Sequence, residues 1–393
     1  MTTPPVELTH GPRAMHAWTV GAMLCINSLA AAAQSTDEDR GAFTDPEDGA
    51  FDASDWLLDR KGFLPVPIII TEPAIGYGGG AAVLWFSESL RAHGARHERL
   101  SPPDIYGAAL AATENGTRIA GAFGMVTFGD EYWRWRGGIG RPDINIDFYG
   151  AGGELDNGDF KIGYNVEGWL STQQLMRRLG EGENFVGARW IYFDLDSVFD
   201  PSQSPLPLPT NGREVRSSGL GLFFEHDSRD NFFTASRGWK AYAESMFYTP
   251  DFGGDREYQT YRAYGFGYLP VGGRLVLGGR ADARAARGDV PFYQLPFIDM
   301  RGIPISRYQD ENVAVVEVEL RWNLNARWAL LAFAGNGRTW GTSKNFEEGE
   351  SASAWGAGFR RLVARRLGIY MGIDVAQGPE ETAFYIQAGS AWR

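Results

Sequence analysis

The chain has 393 residues, 44% of them hydrophobic and 13% aromatic, so it can bury a large apolar surface as one big domain or two ordinary ones. A net charge of -12 argues against a nucleic-acid partner, which needs a basic face. The only cysteine, Cys25, lies in an apolar run at the front, and once that run is removed no thiol remains for disulfides or thiolate-bound metal.

Arg13 and His16 precede this run, which covers 17–33 and ends in Leu29 followed by Ala30, Ala31, Ala32 and Ala33. Residues 1–33 are predicted to be a secretory signal peptide cleaved near Ala33. The run is short, carries Asn27 and Ser28, and meets acids instead of basic stop-transfer residues, which favours export over a membrane anchor. Residues 34–61 form an acidic segment: 34–60 hold nine acids against Arg40 and Arg60, a net of -7. Within it, 51–62 reads as a short amphipathic helix. Asp52 stands at the N-cap, Asp55 three residues on, Phe51 and Trp56 at staple positions, and Gly62 just past the end.

From 62 to 393 no apolar run approaches the roughly 20 residues of a spanning helix. Apolar residues instead recur with a period of two. Between Asn312 and Leu324, Val316, Val318, Leu320, Trp322 and Leu324 share one face, and Glu317, Glu319, Arg321 and Asn323 the other. Arg134 and Arg136 alternate with Trp133 and Trp135, and Arg280, Asp282 and Arg284 with Ala281 and Ala283. In 367–376, Leu367, Ile369, Met371, Ile373 and Val375 oppose Tyr370 and Asp374. About sixteen such runs follow one another, the first starting near Pro65 and the last near Thr382. Tight connections such as 270–273 and 325–327 alternate with long ones such as 200–216 and 287–311. An even number of two-faced strands with aromatics at their ends predicts an all-β fold, a closed antiparallel 16-stranded transmembrane barrel with lipid outside and a wet lumen. The helix at 51–62 is about two turns long and cannot stand alone in water. It is expected to dock as a plug in the periplasmic mouth, Trp56 and Leu57 against the wall and its acids near Arg134, Arg280 and Arg284; a solvated tail is the alternative.

Catalytic and ligand-binding patterns are weak. His226, Asp227 and Ser228 are neighbours on one strand and point alternate ways, so they do not form a triad without a turn. The glycine run 76–80 lacks the lysine and helix of a phosphate loop, and the acids near Asp227 lack metal spacing. No enzyme activity, metal or cofactor is expected.

The half from Ser218 to Arg393 resembles the barrel of the BamA/TamA (bacterial surface antigen) superfamily. Three features in order carry the resemblance. The first is 219–239, GLGLFFEHDSRDNFFTASRGW, whose turn holds Asp227, Arg229 and Asp230. The second is Arg301-Gly302 in a long loop, and the third Glu319-Leu320-Arg321 followed by Phe333 and Gly337. The resemblance implies that the loop folds into the lumen and that Arg301 pairs with acids on the inner wall, Glu319 first among them. The family usually has Asp two residues after the phenylalanine, where this chain has Gly335, so the anchor is expected to rest mainly on Glu319. Ile303 follows Arg-Gly where an aromatic is usual, and Arg393 follows Trp392 where the family ends on an aromatic. Phe384, Ile386 and Trp392 share one parity and are placed on the last strand. The chain would be a short member without room for the family's periplasmic POTRA domains. By resemblance it would insert, assemble or translocate proteins or lipids at the outer membrane of a Gram-negative bacterium. Its partners would be outer-membrane lipids and unfolded outer-membrane proteins or a separate periplasmic protein. The alternative is a passive or plugged pore.

Overall fold

The computed structural model describes residues 41, 43–97, 103–148, 162–199, 213–342 and 344–392. The leader at 1–33 and its cleavage site lie outside the described residues. Sixteen strands follow in order: β1 (Gly62–Ile70), β2 (Gly78–Phe86), β3 (Ile105–Thr113), β4 (Arg118–Phe128), β5 (Trp133–Phe148), β6 (Ile162–Arg178), β7 (Asn184–Phe199) and β8 (Arg213–Asp227). Then come β9 (Gly238–Tyr248), β10 (Tyr258–Val271), β11 (Leu275–Gly288), β12 (Asn312–Asn323), β13 (Trp328–Trp340), β14 (Glu350–Ala364), β15 (Ile369–Gln377) and β16 (Thr382–Ala388). Each pairs antiparallel with its sequence neighbours in one sheet, β1 through β16 without a crossover. Among the described residues two short α-helices stand outside the wall, α1 (Ser54–Leu58) and α2 (Leu90–His97).

The two faces of the sheet are inverted relative to a soluble protein. On β12, Val316, Val318, Leu320 and Trp322 are exposed, whereas Glu317, Glu319 and Arg321 are buried. Leu222, Phe63, Leu110 and Trp355 are each more than 60% exposed. A water-facing sheet would not leave so wide an apolar belt uncovered, and lipid is the solvent that suits it. The charged residues that alternate with this belt turn inward and pair with one another on the lumen wall. Arg280 and Arg284 converge on Asp282 at 2.9 Å, and Arg136 reaches Glu225 at 3.5 Å.

The start of β1, the end of β16 and the connections that follow even-numbered strands lie at one end, here the terminal end; the connections after odd-numbered strands form the loop end. The connection 289–311 does not stay at the rim. Ile298, Met300, Ile303 and Tyr308 pack against Val313, Val315, Ala352 and Ala354 of the inner wall. Its hydrophobic side chains seal it there, and Ile303 is buried among them, 3% exposed.

Three details differ from the sequence reading. Helix α1 is only five residues long with Ala53 at its N-cap, and Gly62 begins β1. Asp52 instead accepts the Ser54 amide through one oxygen while the other serves Arg327. Phe43 lies against both Phe51 and Trp56, at 5.9 and 5.8 Å between ring centroids. Strand β15 starts at Ile369, and Leu367 sits in the turn before it, packed in a cluster with Leu58. The last strand stops at Ala388. Gly389 (φ +84°) turns the chain inward, and Trp392 stacks on Tyr268 at 5.9 Å and donates to Glu317 at 3.1 Å. A polar handle with a buried acceptor explains why Trp392 leaves the lipid face.

Candidate functional site: the lumen loop and the open edge

The inward loop brings Arg301 to the wall. Its guanidinium donates to Glu319 Oε2 at 2.8 Å and to Asp374 Oδ2 at 2.9 Å, and lies 3.6 Å from the centre of the Phe333 ring. A buried cation is tolerable only when it is paired, as two of the three guanidinium nitrogens are here; the buried Nε has no hydrogen-bond partner. Asp374 was missed by the resemblance, although it stood at an inward position of the strand read from 367 to 376. It comes from β15 and also accepts Arg360 at 2.6 Å, so the anchor rests on two acids and not mainly on Glu319. Gly335, where the family has an acid, leaves room that Met300 takes: a Cβ there would lie 2.4 Å from the Met300 sulfur. Gly337 makes the same room for Ile298, at 2.5 Å. Gly302 holds φ +87°, and an added Cβ would meet Ala354 and Ala376 at 3.1 and 3.2 Å.

Among the described residues no ladder joins β1 to β16, so the barrel is nearly closed with one unpaired edge on each side of a seam. The wall is also lowest there. β16 has 7 residues and β1 has 9, against 17 for β6 on the other side. At about 3.3 Å per residue, β16 runs only about 23 Å before any tilt is counted, short for a spanning strand.

The inward loop touches both sides of this seam at the loop end. Gly302 N donates to Tyr385 of β16 at 2.9 Å, and Ile305 N to Glu72, in the β1–β2 connection, at 3.3 Å. Tyr308 bonds Glu380 in the β15–β16 connection, and Arg307 reaches the same carboxylate at 3.2 Å. Burial pushes Glu72 up to about 7, against the amides of Ile305 and Ala74 that oppose the shift.

At the terminal end the turn 228–237 reaches inward. Arg229 forks onto Asp227 at 2.8 and 2.6 Å, and Asp230 accepts the amides of Ser236 and Arg237 at 2.9 and 3.2 Å. Asn231, which the motif reading passed over, spans to the carbonyl of Leu367 at 3.0 Å, and Phe233 O accepts Ser390 N at 2.7 Å. The turn thus ties β8–β9 to the β14–β15 turn and to the chain's last residues. His226 bonds Asn184 at 2.9 Å and Ser228 the Trp239 carbonyl at 3.1 Å; these two and Asp227 are held by separate partners.

The acidic segment lies across the turns of this same end. Arg327 of the β12–β13 turn is enclosed by Asp45, Asp48 and Asp52, the last two at 2.8 Å. Arg365 of the next turn pairs with Asp48 at 2.8 Å, and with Glu47. These acids do not meet Arg134, Arg280 or Arg284. The latter two are taken by Asp282 and Asp299, and Arg134 lies over Phe185 at 4.4 Å. Leu57 packs in a cluster with Ala364 and Leu367, whereas Trp56 carries Arg60 over its ring at 5.0 Å. The segment is strapped to the turns of the rim. The hydrogen bond from Arg327 holds the Asp48 carboxyl well below the usual range.

No family model matches the sequence, and no curated protein matches it. Solved structures do. BamA from Haemophilus ducreyi lacking POTRA domains 1-3 aligns with a TM-score of 0.59 at 10% identity, over 84% of this chain and 70% of that one. CdiB from Escherichia coli gives 0.55 at 12% identity over 83% of this chain, and CdiB from Acinetobacter baumannii 0.53 at 10% over 82%. The chain spans 62% and 59% of those two proteins. Likeness at such identities is likeness of fold, and it gives this chain a sixteen-stranded barrel of the shape shared by BamA and CdiB.

Proposed function

We propose that this barrel acts in the insertion, assembly or translocation of proteins or lipids at the outer membrane. The observation that carries the reading is the seam, where two short edge strands face each other without a ladder. Unpaired backbone in lipid is costly, and a client strand that supplies the missing hydrogen bonds would be stabilised there. The termini would face the periplasm, the side from which unfolded outer-membrane proteins, or a separate periplasmic protein carrying them, would arrive. Arg301 and its two acids would keep the inward loop seated while the edge is occupied.

The test is the folding rate of an unrelated urea-unfolded barrel protein into liposomes, with and without this protein embedded. Acceleration that is lost in Arg301→Ala supports the reading, and an unchanged rate overturns it. The packing of the inward loop and of Trp392 inside the lumen favours a second reading, a plugged structural barrel. That reading predicts no acceleration and a very low single-channel conductance that rises when the loop is loosened.

A further inference from the structure

The luminal face changes character around the barrel. On β10–β12 the inward positions are crowded with charge, Arg262, Asp282 and Glu317 among them. Cross-strand pairing carries the same inward face round to the first four strands. There the row that holds Arg136 continues as Met125 of β4, the next joins Phe123 to Leu84 and Leu64, and one further along joins Ile119 to Ile68. No inward position of β1–β4 carries a charged residue. Phe63, Trp85 and Leu110 on the outward positions are apolar as well, so this sector of the wall is apolar on both faces. Strands of that kind are covered on both sides in folded proteins. Lipid suits the outer side. On the inner side Phe123 and Ile119 are 45% and 37% exposed, toward the lumen.

This wall borders on a surplus of cations. In the sheet Arg136 is the direct neighbour of Met125, and Arg134 of Thr127. Arg134 and Arg178 both lie over the Phe185 ring, at 4.4 and 5.4 Å, and among the described residues no carboxylate pairs with Arg134. Arg136 and Lys240 share Glu225, at 3.5 and 3.9 Å, and Arg178 shares Glu131 with His93, at 3.6 and 3.7 Å. Asp227, the cross-strand partner of Lys240, is taken by Arg229 at 2.6 Å. Arg134, Arg136, Arg178 and Lys240 thus face two carboxylates at the terminal end of the bore. The buried Nε atoms of Arg136 and Arg178 have no hydrogen-bond partner.

The apolar wall and the cations adjoin, and together they have the polarity of an anionic amphiphile. We propose that the luminal face of β1–β4 binds a single-chain anionic lipid, its charged end held by Arg134 and Arg136 and its acyl chain lying along β4 from Met125 to Ile119. Charge complementarity selects this occupant. A neutral hydrocarbon leaves the cations unanswered, and an acidic peptide sets polar backbone against Phe123, whereas a guanidinium fork suits the oxygens of a carboxylate or phosphate. From Met125 to Ile119 the strand runs about 20 Å at about 3.3 Å per residue, room for a long chain. At the loop end its path stops under the inward loop, whose Ile305 meets Glu72 two residues beyond Ile70. The lipid enters from the terminal end, and no movement of the wall is required. The proposal goes beyond the assembly reading and does not depend on it.

The experiment irradiates the full chain in phosphatidylcholine liposomes that carry a photoactivatable palmitate and maps the adducts by mass spectrometry. Leu110 and Trp85 face bulk lipid and take label in every sample, which checks that the barrel is folded and embedded. The expected result is further label at Ile119, Phe123 and Met125 that excess unlabelled palmitate removes. This luminal label should fall about tenfold when a photoactivatable alcohol of the same length replaces the acid, and by as much in Arg134→Gln combined with Arg136→Gln, the size of one lost charge-assisted hydrogen bond. Arg134→Lys with Arg136→Lys keeps the charge and should keep most of the label. Luminal label that is absent, equal for acid and alcohol, or undiminished in the glutamine pair overturns the proposal. Its removal by inorganic phosphate alone does so too, because that marks a site for free anions. The comparison of acid with alcohol uses the unchanged chain, so the proposal can fail even where the glutamine pair does not fold.

Discussion

The seam is bridged at both ends, and the two bridges are made of different materials. At the loop end the bridge is a loop sunk into the lumen, anchored by Arg301 with 7% of its side chain exposed. At the terminal end α1, which leads into β1, docks on the β14–β15 turn through Asp55 and Arg366, and the same Asp55 meets Arg91, whose side chain is 45% exposed. Both rest on an arginine between two carboxylates. What separates them is water: the buried arrangement is costly to break once formed, and the exposed one is nearly neutral.

The largest test of this contrast is a pair of truncations. Arg301→Ala should destabilise the lipid-embedded barrel by about 3 kcal/mol, because Glu319 and Asp374 lose a shared cation. Arg91→Ala should cost no more than about 1 kcal/mol. Urea unfolding followed by tryptophan fluorescence measures both, and equal losses would erase the distinction. Next in size is Gly302→Ala, expected to cost about 1–2 kcal/mol through its positive φ and its contact with Ala354. Its signature is faster proteolysis of 289–311 with 43–59 unaffected.

The third test uses pH and reads local protection instead of global stability. Glu72 is raised from 4.5 to about 7, so its share of the loop-end contact is full below about 4.5 and is lost as the pH climbs through about 7. Asp48 and Asp52 are both lowered. For Asp52, burial raises the value and hydrogen bonds from Ser54 and Arg327 outweigh it; for Asp48 the Arg327 bond leads. The strap's share is therefore present above about 3.8 and lost only in stronger acid. Between pH 5 and 8, hydrogen-exchange protection, taken relative to the intrinsic exchange rate at each pH, should fall in 299–308 and not in 43–59. Glu72→Gln should flatten the loop response, and parallel behaviour of both segments would count against the assignment.

Much of the barrel could be read from the chain because strand faces are written locally. Val316 to Trp322 alternates with Glu317 to Arg321 whatever the rest of the molecule does, and only the choice of lipid over water had to be inferred from the aromatics. The partners of inward charges are another matter. Arg301 meets Asp374 across 73 residues and Arg327 meets Asp48 across 279, and nothing in the local pattern says which arginine a given acid will find. Arg280 and Arg284 looked available to the acidic segment, but Asp282 stands between them on the same strand and claims both. Trp392 had the parity of a lipid-facing residue and lost it because a single glycine at 389 turned the backbone. Asn231 is in plain sight within the turn motif, yet its role depends on how close the β14–β15 turn comes.

The seat of the inward loop also sets an order of events in folding. Its partners lie at Glu72, 233 residues before Ile305, and at Asp374 and Tyr385, 73 and 83 residues after their loop contacts. Closing loops of that length is entropically unfavourable until the intervening strands have already been laid down. The loop can therefore complete both its Tyr385 and its Glu72 contacts only when the first and last hairpins stand side by side, which makes its full docking the final event of folding, a report that the sheet has come full circle.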